Sequence, residues 1–130
     1  MSARILYIED NQQNFYLVSC ILKARGHDVS WAKDGPEGLA AAASRKPDLV
    51  LLDIQLPGMD GYAVARALRA DPGLAAIPIV ALTSYAMAGD QEKAMAAGCD
   101  GYIEKPLDPD MFADQVARYL PAEGKGGKAV

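Results

Sequence analysis

Hydrophobic positions along the chain follow two alternating patterns. Five short runs of mostly aliphatic residues alternate with five longer segments in which apolar residues recur every three or four positions. Short continuous apolar runs are typical of buried strands, and the longer spacing is typical of helices with one buried face. The chain is therefore predicted to repeat a strand and a helix five times.

The two patterns also give approximate element bounds. The predicted strands cover 5–8, 29–32, 49–52, 77–82 and 101–103. The first predicted helix ends at Gly26, the next three cover 35–44, 61–70 and 88–97, and the last begins at Asp108. Asp108 and Pro109 predict this start, because an acidic cap followed by proline is typical of the first turn of a helix. Alternating strands and helices predict an α/β fold with one parallel sheet covered by helices on both faces.

Composition narrows the class of protein. The chain has 130 residues, of which 51% are hydrophobic, and this suffices for one domain with its own core. We expect that domain to cover 1–120 and the Gly- and Lys-rich 121–130 to form a flexible tail. Cys20 lies in an apolar stretch and is expected in the core, and the two cysteines have no metal-ligand spacing.

Charge and apolar run length exclude two kinds of partner. The net charge of −4 argues against binding to nucleic acid. Every apolar run is shorter than the roughly 20 residues that cross a membrane, and the start lacks the apolar stretch of a signal peptide. We therefore expect a cytoplasmic protein with neither a membrane nor a nucleic acid as partner.

Polar residues with chemical potential follow four of the five predicted strands. They are Glu9 and Asp10 after the first, Asp53 after the third, Thr83 and Ser84 after the fourth, and Lys105 after the fifth. Ligands of open α/β sheets bind at the carboxyl ends of the strands. In the strand order 2-1-3-4-5 the first and third strands are neighbours, so Asp10 and Asp53 are within reach of each other.

The three acids predict a cation site. Asp10 alone could simply cap the first helix, but a cap does not explain Asp53, whose burial would be costly without a partner. Carboxylates this close repel unless one takes a proton or a cation joins them. Because the available ligands are hard oxygens, we expect Mg²⁺. A nearby lysine and threonine hydroxyl then favour a phosphoryl group as a further ligand.

Three segments carry a resemblance to a known family. They are Ile-Leu-Tyr-Ile-Glu-Asp-Asn at 5–11, the stretch from Pro47 to Gly61, and Gly-Tyr-Ile-Glu-Lys-Pro-Leu at 101–107. Together they resemble the receiver domain of two-component response regulators over about residues 3 to 120. The resemblance implies a flavodoxin-like fold, phosphorylated on Asp53 by a histidine kinase or a histidine phosphotransfer protein. The output would be binding to a downstream protein target or onward phosphotransfer.

The resemblance also assigns metal ligands. It implies that Asp10 and Asp53 bind Mg²⁺ directly, together with the backbone carbonyl of Gln55. Glu9 would act through a water molecule.

Four further residues receive roles from the resemblance. Lys105 would pair with the phosphoryl group, Thr83 would donate a hydrogen bond to it, and the Ser84 backbone N–H would contact it. Thr83 and Tyr102 would form the switch that reports phosphorylation. A cis bond between Lys105 and Pro106 is also implied.

The sequence departs from the family pattern at two positions. Ser84 stands where alanine or glycine is usual, so its side chain could crowd the phosphoryl group. Tyr7 replaces a commoner aliphatic residue in the first strand, and its hydroxyl needs a hydrogen-bond partner if it is buried.

Two other functions compete with the receiver hypothesis. A Mg²⁺-dependent phosphohydrolase could use Asp53 as nucleophile, but enzymes of the haloacid dehalogenase type carry a second acid where this chain has Gln55, and no lid domain is evident. A flavodoxin would need a phosphate-binding loop after the first strand. The acidic Asp10 at that place would repel a phosphate. The first alternative is therefore the stronger of the two.

Overall fold

The computed structural model describes residues 3–56, 58–84 and 88–120. The strands are β1 (Arg4–Ile8), β2 (Asp28–Ala32), β3 (Leu49–Asp53), β4 (Ile79–Thr83) and β5 (Gly101–Glu104). The helices are α1 (Gln12–Lys23), α2 (Gly35–Arg45), α3 (Gly61–Ala70), α4 (Ala88–Ala96) and α5 (Phe112–Ala117). The predicted tail, 121–130, lies outside the described residues.

The five strands form one parallel sheet in the order β2-β1-β3-β4-β5. This confirms the predicted order and brings β1 and β3 together. Ile8 pairs with Leu52, so the next residues, Glu9 and Asp53, leave the sheet at the same level. Asp53 in turn pairs with Leu82 of β4, one residue before Thr83.

Alternating side chains divide the core between the two faces of the sheet. Leu6 and Ile8 of β1 pack on the face covered by α2, α3 and α4. Ile5 and Tyr7 pack on the face covered by α1 and α5. Because residues two apart on a strand share a face, Glu9 follows Tyr7 on the α1 and α5 side.

Side-chain caps begin three of the helices. Asn11 accepts from the Asn14 backbone N–H at 2.9 Å and caps α1. Asp34 and Asp60 cap α2 and α3 in the same way. The cap of α1 is thus Asn11 rather than Asp10, so capping does not account for the acid at position 10.

Helix α5 begins later than predicted. Its first residue is Phe112, whereas the sequence pattern placed the start at Asp108. The Asp108 carboxylate accepts from the Asp110 N–H at 2.9 Å, and its carbonyl accepts from the Met111 N–H at 3.0 Å. An aspartate that bonds to the backbone two residues on forms an Asx turn, and this turn occupies the predicted first turn of helix.

Two smaller predictions were also wrong. Strand β4 begins at Ile79 rather than 77, because the Ile77 N–H donates to the Leu74 carbonyl and Pro78 has no N–H for the sheet. Cys20 is exposed on α1 and does not lie in the core.

Gly61 allows α3 to start directly against the end of β3. A Cβ atom at this position would lie 2.6 Å from the Ile54 Cα and 2.8 Å from the Asp53 carbonyl oxygen. Both neighbours are backbone atoms, so they cannot move aside as a flexible side chain would. The closeness of α3 to the Asp53 end of the strand therefore depends on glycine.

We predict that Gly61→Ala lowers the free energy of unfolding by about 1–3 kcal/mol, because the new methyl group overpacks a backbone contact. Urea denaturation measures the change. Gly89→Ala on α4 is the matched control, since nothing lies within 4 Å of its Cβ position. Equal stabilities of Gly61→Ala and the wild type would show that α3 can shift without cost.

Candidate functional site

Three carboxylates meet where β1 and β3 end. One oxygen from each of Glu9, Asp10 and Asp53 lies within 4.8 Å of the others. Glu9 and Asp53 are 1% and 3% exposed, whereas Asp10 is open to solvent. The pairing of Ile8 with Leu52 explains the meeting, because the acids extend two neighbouring strands from the same level.

Among the described residues, three hydrogen-bond donors lie around the Glu9 side chain. Its Oε1 accepts from the Tyr7 hydroxyl at 2.7 Å and lies 3.5 Å from the Lys105 Nζ. Its Oε2 accepts from the Asn11 backbone N–H at 3.2 Å. A buried carboxylate is costly without such partners, so the three donors make its burial possible.

Asp53 is held on both oxygens. The Gln55 backbone N–H donates to Oδ1 at 2.9 Å, and Lys105 Nζ lies 3.3 Å from Oδ2. The Lys105 ammonium therefore bridges Asp53 and Glu9. Because both acids are buried, this single cation offsets part of the repulsion between them.

The backbone at the end of β5 places Lys105. Its N–H donates to the Thr83 carbonyl at 2.7 Å, and its bond to Pro106 is cis. Since β4 and β5 are neighbours, this hydrogen bond extends their pairing by one residue beyond Glu104. The lysine side chain consequently leaves from the sheet edge where the acids lie.

Thr83 and Tyr102 occupy different surroundings. Thr83 is 1% exposed at the end of β4, and Ser84 after it is exposed. Tyr102 is half-buried on β5, opposite Ala81, and packs against the core beneath α2, α3 and α4. The structure thus brings Glu9, Asp10, Asp53 and Lys105 together, with the Gln55 and Thr83 backbones beside them. Tyr102 lies further from the strand ends.

Burial changes the proton affinity of Glu9. Burial away from solvent raises the pKa of Glu9 to about 7, and a hydrogen bond with Asp53 contributes to the rise. The hydrogen bond from Tyr7 and the charge of Lys105 lower the pKa in part. Burial, together with the negative charge of Glu9, also raises the pKa of Tyr7, which stays a hydroxyl donor. The acid cluster thus holds a proton near neutrality when no cation is added, one of the two solutions that the sequence allowed.

Aromatic residues contact Glu9 from the protein interior, and the sequence predicts these contacts only in part. The partner that the Tyr7 hydroxyl needs is Glu9, two residues along the same strand. Trp31 Nε1 donates to the Glu9 carbonyl at 2.7 Å, a contact that the pattern of β2 does not predict. The Phe15 and Trp31 rings stack with centroids 5.1 Å apart.

The donor set fits Mg²⁺. It consists of hard carboxylate oxygens, and exposed Asp10 leaves one side of the cluster open to water. Mg²⁺ is typically bound by one or two carboxylates while keeping several waters. Asp10, Asp53 and Glu9 could supply such a set, with Lys105 close enough to meet a further anion.

Comparisons with known proteins identify the family of the chain. The family model described as the response regulator receiver domain matches residues 5–117. The polar-differentiation response regulator DivK of Brucella anthropi is 37% identical over 120 residues, which are 92% of this chain and 98% of DivK. DivK of Brucella ovis matches to the same extent.

Solved structures show the same fold. The chemotaxis response regulator CheY4 of Vibrio cholerae superposes with a TM-score of 0.88 at 28% identity, covering 92% of this chain and all of CheY4. The receiver domain of the sensor histidine kinase PA1611 from Pseudomonas aeruginosa has a TM-score of 0.83 at 32% identity. That match covers 92% of this chain and 98% of the PA1611 receiver domain, whose structure holds a magnesium ion coordinated in the active-site cleft.

Within the described ranges, no helix is both long enough and apolar enough to cross a membrane.

We predict that Glu9 makes the metal-free protein less stable as pH rises. Its folded pKa lies above the usual value of 4.5, so its contribution is fully present below about pH 4.5 and is lost as pH rises through about 7. The loss amounts to about 3 kcal/mol at most. Urea denaturation in a chelator between pH 5 and 8 measures it.

Glu9→Gln is the necessary reference. Burial lowers the pKa of His27, which has the opposite effect on stability over part of this range. Because both proteins share His27, the difference between their stabilities isolates Glu9. The variant should gain on the wild type as pH rises. Parallel pH profiles would contradict the raised pKa.

Proposed function

The chain belongs to the response regulator receiver domain family, whose function is phosphorylation on an aspartate, and we propose that Asp53 is the residue phosphorylated here. The observation that carries the proposal is the contact between buried Asp53 and Lys105, at 3.3 Å, beside two further acids. A nucleophilic carboxylate paired with a movable cation suits transfer of an anionic group.

The proposed reaction is a displacement at phosphorus. An Asp53 oxygen attacks the phosphoryl group of a phosphohistidine, forming an oxygen–phosphorus bond while the phosphorus–nitrogen bond breaks. The imidazole nitrogen keeps the bonding electrons and, with a proton on the other ring nitrogen, leaves as neutral histidine. The Gln55 N–H fixes the rotation of the Asp53 carboxylate for this attack. The product is an acyl phosphate on Asp53.

Mg²⁺ would be held directly by Asp10, Asp53 and the Gln55 backbone carbonyl, and through water by Glu9. When bound, it would supply positive charge that reduces repulsion between the carboxylates and the incoming phosphoryl oxygens. Lys105 would exchange its contact with Asp53 for one with a phosphoryl oxygen, as a charge-assisted hydrogen bond. Its half-buried ammonium needs little movement, since it already lies between the two buried acids.

The end of β4 would complete phosphoryl binding. The Thr83 hydroxyl and the Ser84 backbone N–H are proposed to donate to phosphoryl oxygens. Inward movement of Thr83 would make room beside β4 for the Tyr102 ring. That change would alter the surface formed by α4, β5 and α5, which we propose as the surface that a downstream protein reads.

The partners follow from this chemistry. The phosphoryl donor would be a histidine kinase or a histidine phosphotransfer protein, and the output would be altered protein binding or onward phosphotransfer. No nucleic acid or membrane is needed, and a cytoplasmic location fits such partners. Of the alternatives, a Mg²⁺-dependent phosphohydrolase would also use Asp53. The exposed amide of Gln55 offers no general acid for turnover, so we propose that the chain is not an enzyme.

We predict that the wild-type protein gains one phosphoryl group from acetyl phosphate in the presence of Mg²⁺, seen by intact mass. Asp53→Asn should abolish the gain, because the amide is not a nucleophile at neutral pH. Asp60→Asn is the matched control, since asparagine also caps a helix and Asp60 is exposed.

Two results would overturn the proposal. One is stable phosphorylation of Asp53→Asn, which would place the phosphoryl group on another residue. The other is sustained phosphate release without accumulation of the phosphorylated protein, which would favour the phosphohydrolase.

A further inference from the structure

We propose that Tyr7 is a positioning residue for the metal site: its hydroxyl holds Glu9 so that the cluster stays ready for Mg²⁺ instead of closing onto Lys105. The inference rests on the proposed function, because Glu9 is assigned there to the metal. It adds a residue that touches neither the metal nor the phosphoryl group and acts through Glu9.

Burial shows that the hydroxyl is not explained by packing. Tyr7 is fully buried in the middle of the sheet, on the face beneath α1 and α5, among aliphatic and aromatic neighbours. An aliphatic side chain could fill this position without a polar atom, whereas a buried hydroxyl is costly unless it is paired. Its partner is the Glu9 Oε1 at 2.7 Å.

Two donors compete for the same oxygen of Glu9. The Tyr7 hydroxyl lies 2.7 Å from Oε1, and Lys105 Nζ lies 3.5 Å from it. The ammonium lies slightly closer to Asp53, at 3.3 Å. The hydroxyl therefore occupies the nearer position on Oε1, and the lysine remains shared between the two acids.

Removing the hydroxyl would change this balance. The Oε2 atom of Glu9 would still accept a hydrogen bond from the Asn11 N–H. Of the donors described for Oε1, Lys105 alone would remain. Attraction between opposite charges strengthens as they approach in a buried site. A closer Glu9–Lys105 pair would have to be broken before a metal could use Glu9, so Mg²⁺ would bind more weakly.

The ring of Tyr7 is itself held by aromatic contacts. Phe15 lies between Tyr7 and Trp31, with ring centroids 6.4 Å and 5.1 Å away. Trp31 also donates to the Glu9 backbone carbonyl at 2.7 Å. Glu9 is thus fixed at its backbone by one aromatic residue and at its carboxylate by another. Support of this kind commonly sets how well a ligand side chain serves a metal.

The test is a double-mutant cycle on Mg²⁺ affinity. Tyr7→Phe removes the hydroxyl and keeps the ring, and it should raise the Mg²⁺ dissociation constant about tenfold. In a Glu9→Gln background the same change should have an effect of less than about twofold, because the residue through which Tyr7 acts is already altered. A purely structural role would give equal effects in both backgrounds.

The fluorescence of Trp31, the single tryptophan of the chain, provides the readout because its indole contacts Glu9. Tyr7→Leu, a second variant without the hydroxyl, should show the same loss of affinity. Tyr16→Phe is the matched control, since that hydroxyl belongs to an exposed residue of α1.

At saturating Mg²⁺, phosphorylation of Tyr7→Phe by acetyl phosphate should return to within about twofold of the wild-type rate, because the defect is in metal binding.

The outcomes separate this inference from the proposed function. A wild-type protein that neither binds Mg²⁺ nor gains a phosphoryl group overturns the proposed function and this inference with it. If the wild type is functional and Tyr7→Phe binds Mg²⁺ as tightly as the wild type does, this inference alone is overturned. Equal losses in both backgrounds, or a phosphorylation rate that saturating Mg²⁺ does not restore, also overturn it.

Discussion

Repulsion among three carboxylates at one edge of a parallel sheet is the constraint around which this protein is built. Two of them, Glu9 and Asp53, are buried, and burial strengthens their interaction. The described structure manages the repulsion in two ways. Lys105 bridges the buried acids, and the raised pKa of Glu9 lets it hold a proton near neutrality. A divalent cation at the cluster would reduce the same repulsion.

Much of the backbone serves to hold this cluster in place. The pairing of β1 with β3 sets two acids at one level, and the bond from the Lys105 N–H to the Thr83 carbonyl brings the lysine to the same edge. Close packing at Gly61 sets the start of α3 directly against the end of β3. The aromatic residues behind Glu9 act on the same residue from the interior. The proposed receiver chemistry would thus depend on contacts well beyond the reacting atoms.

The sequence predicted the sheet order through its resemblance to a flavodoxin-like family, and it predicted the members of the cluster from where the strands end. Parallel strands bring their carboxyl ends to one edge, so the acids and Lys105 could be grouped without coordinates. The sequence also showed that a buried Tyr7 hydroxyl needs a hydrogen-bond partner. The spacing of two residues between Tyr7 and Glu9 on one strand could have identified that partner.

Other features depend on choices that local patterns leave open. Asp108 can cap a helix or form an Asx turn, and its side chain bonds to the Asp110 N–H, which delays α5. Periodicity places Trp31 on β2 but does not show that its indole reaches the Glu9 carbonyl. Cys20 belongs to an apolar stretch, yet its position on α1 turns it to solvent.

If Lys105 and Mg²⁺ relieve the same repulsion, the Mg²⁺ affinity of Lys105→Met reports it most directly. Removing the ammonium takes away a positive charge beside the acids, so Mg²⁺ should bind at least about fivefold more tightly than to the wild type. Calorimetric or fluorescence titration at pH 8 measures the change. Unchanged or weaker binding would contradict the account, because it would show that the lysine does not share the charge of the carboxylates with the metal.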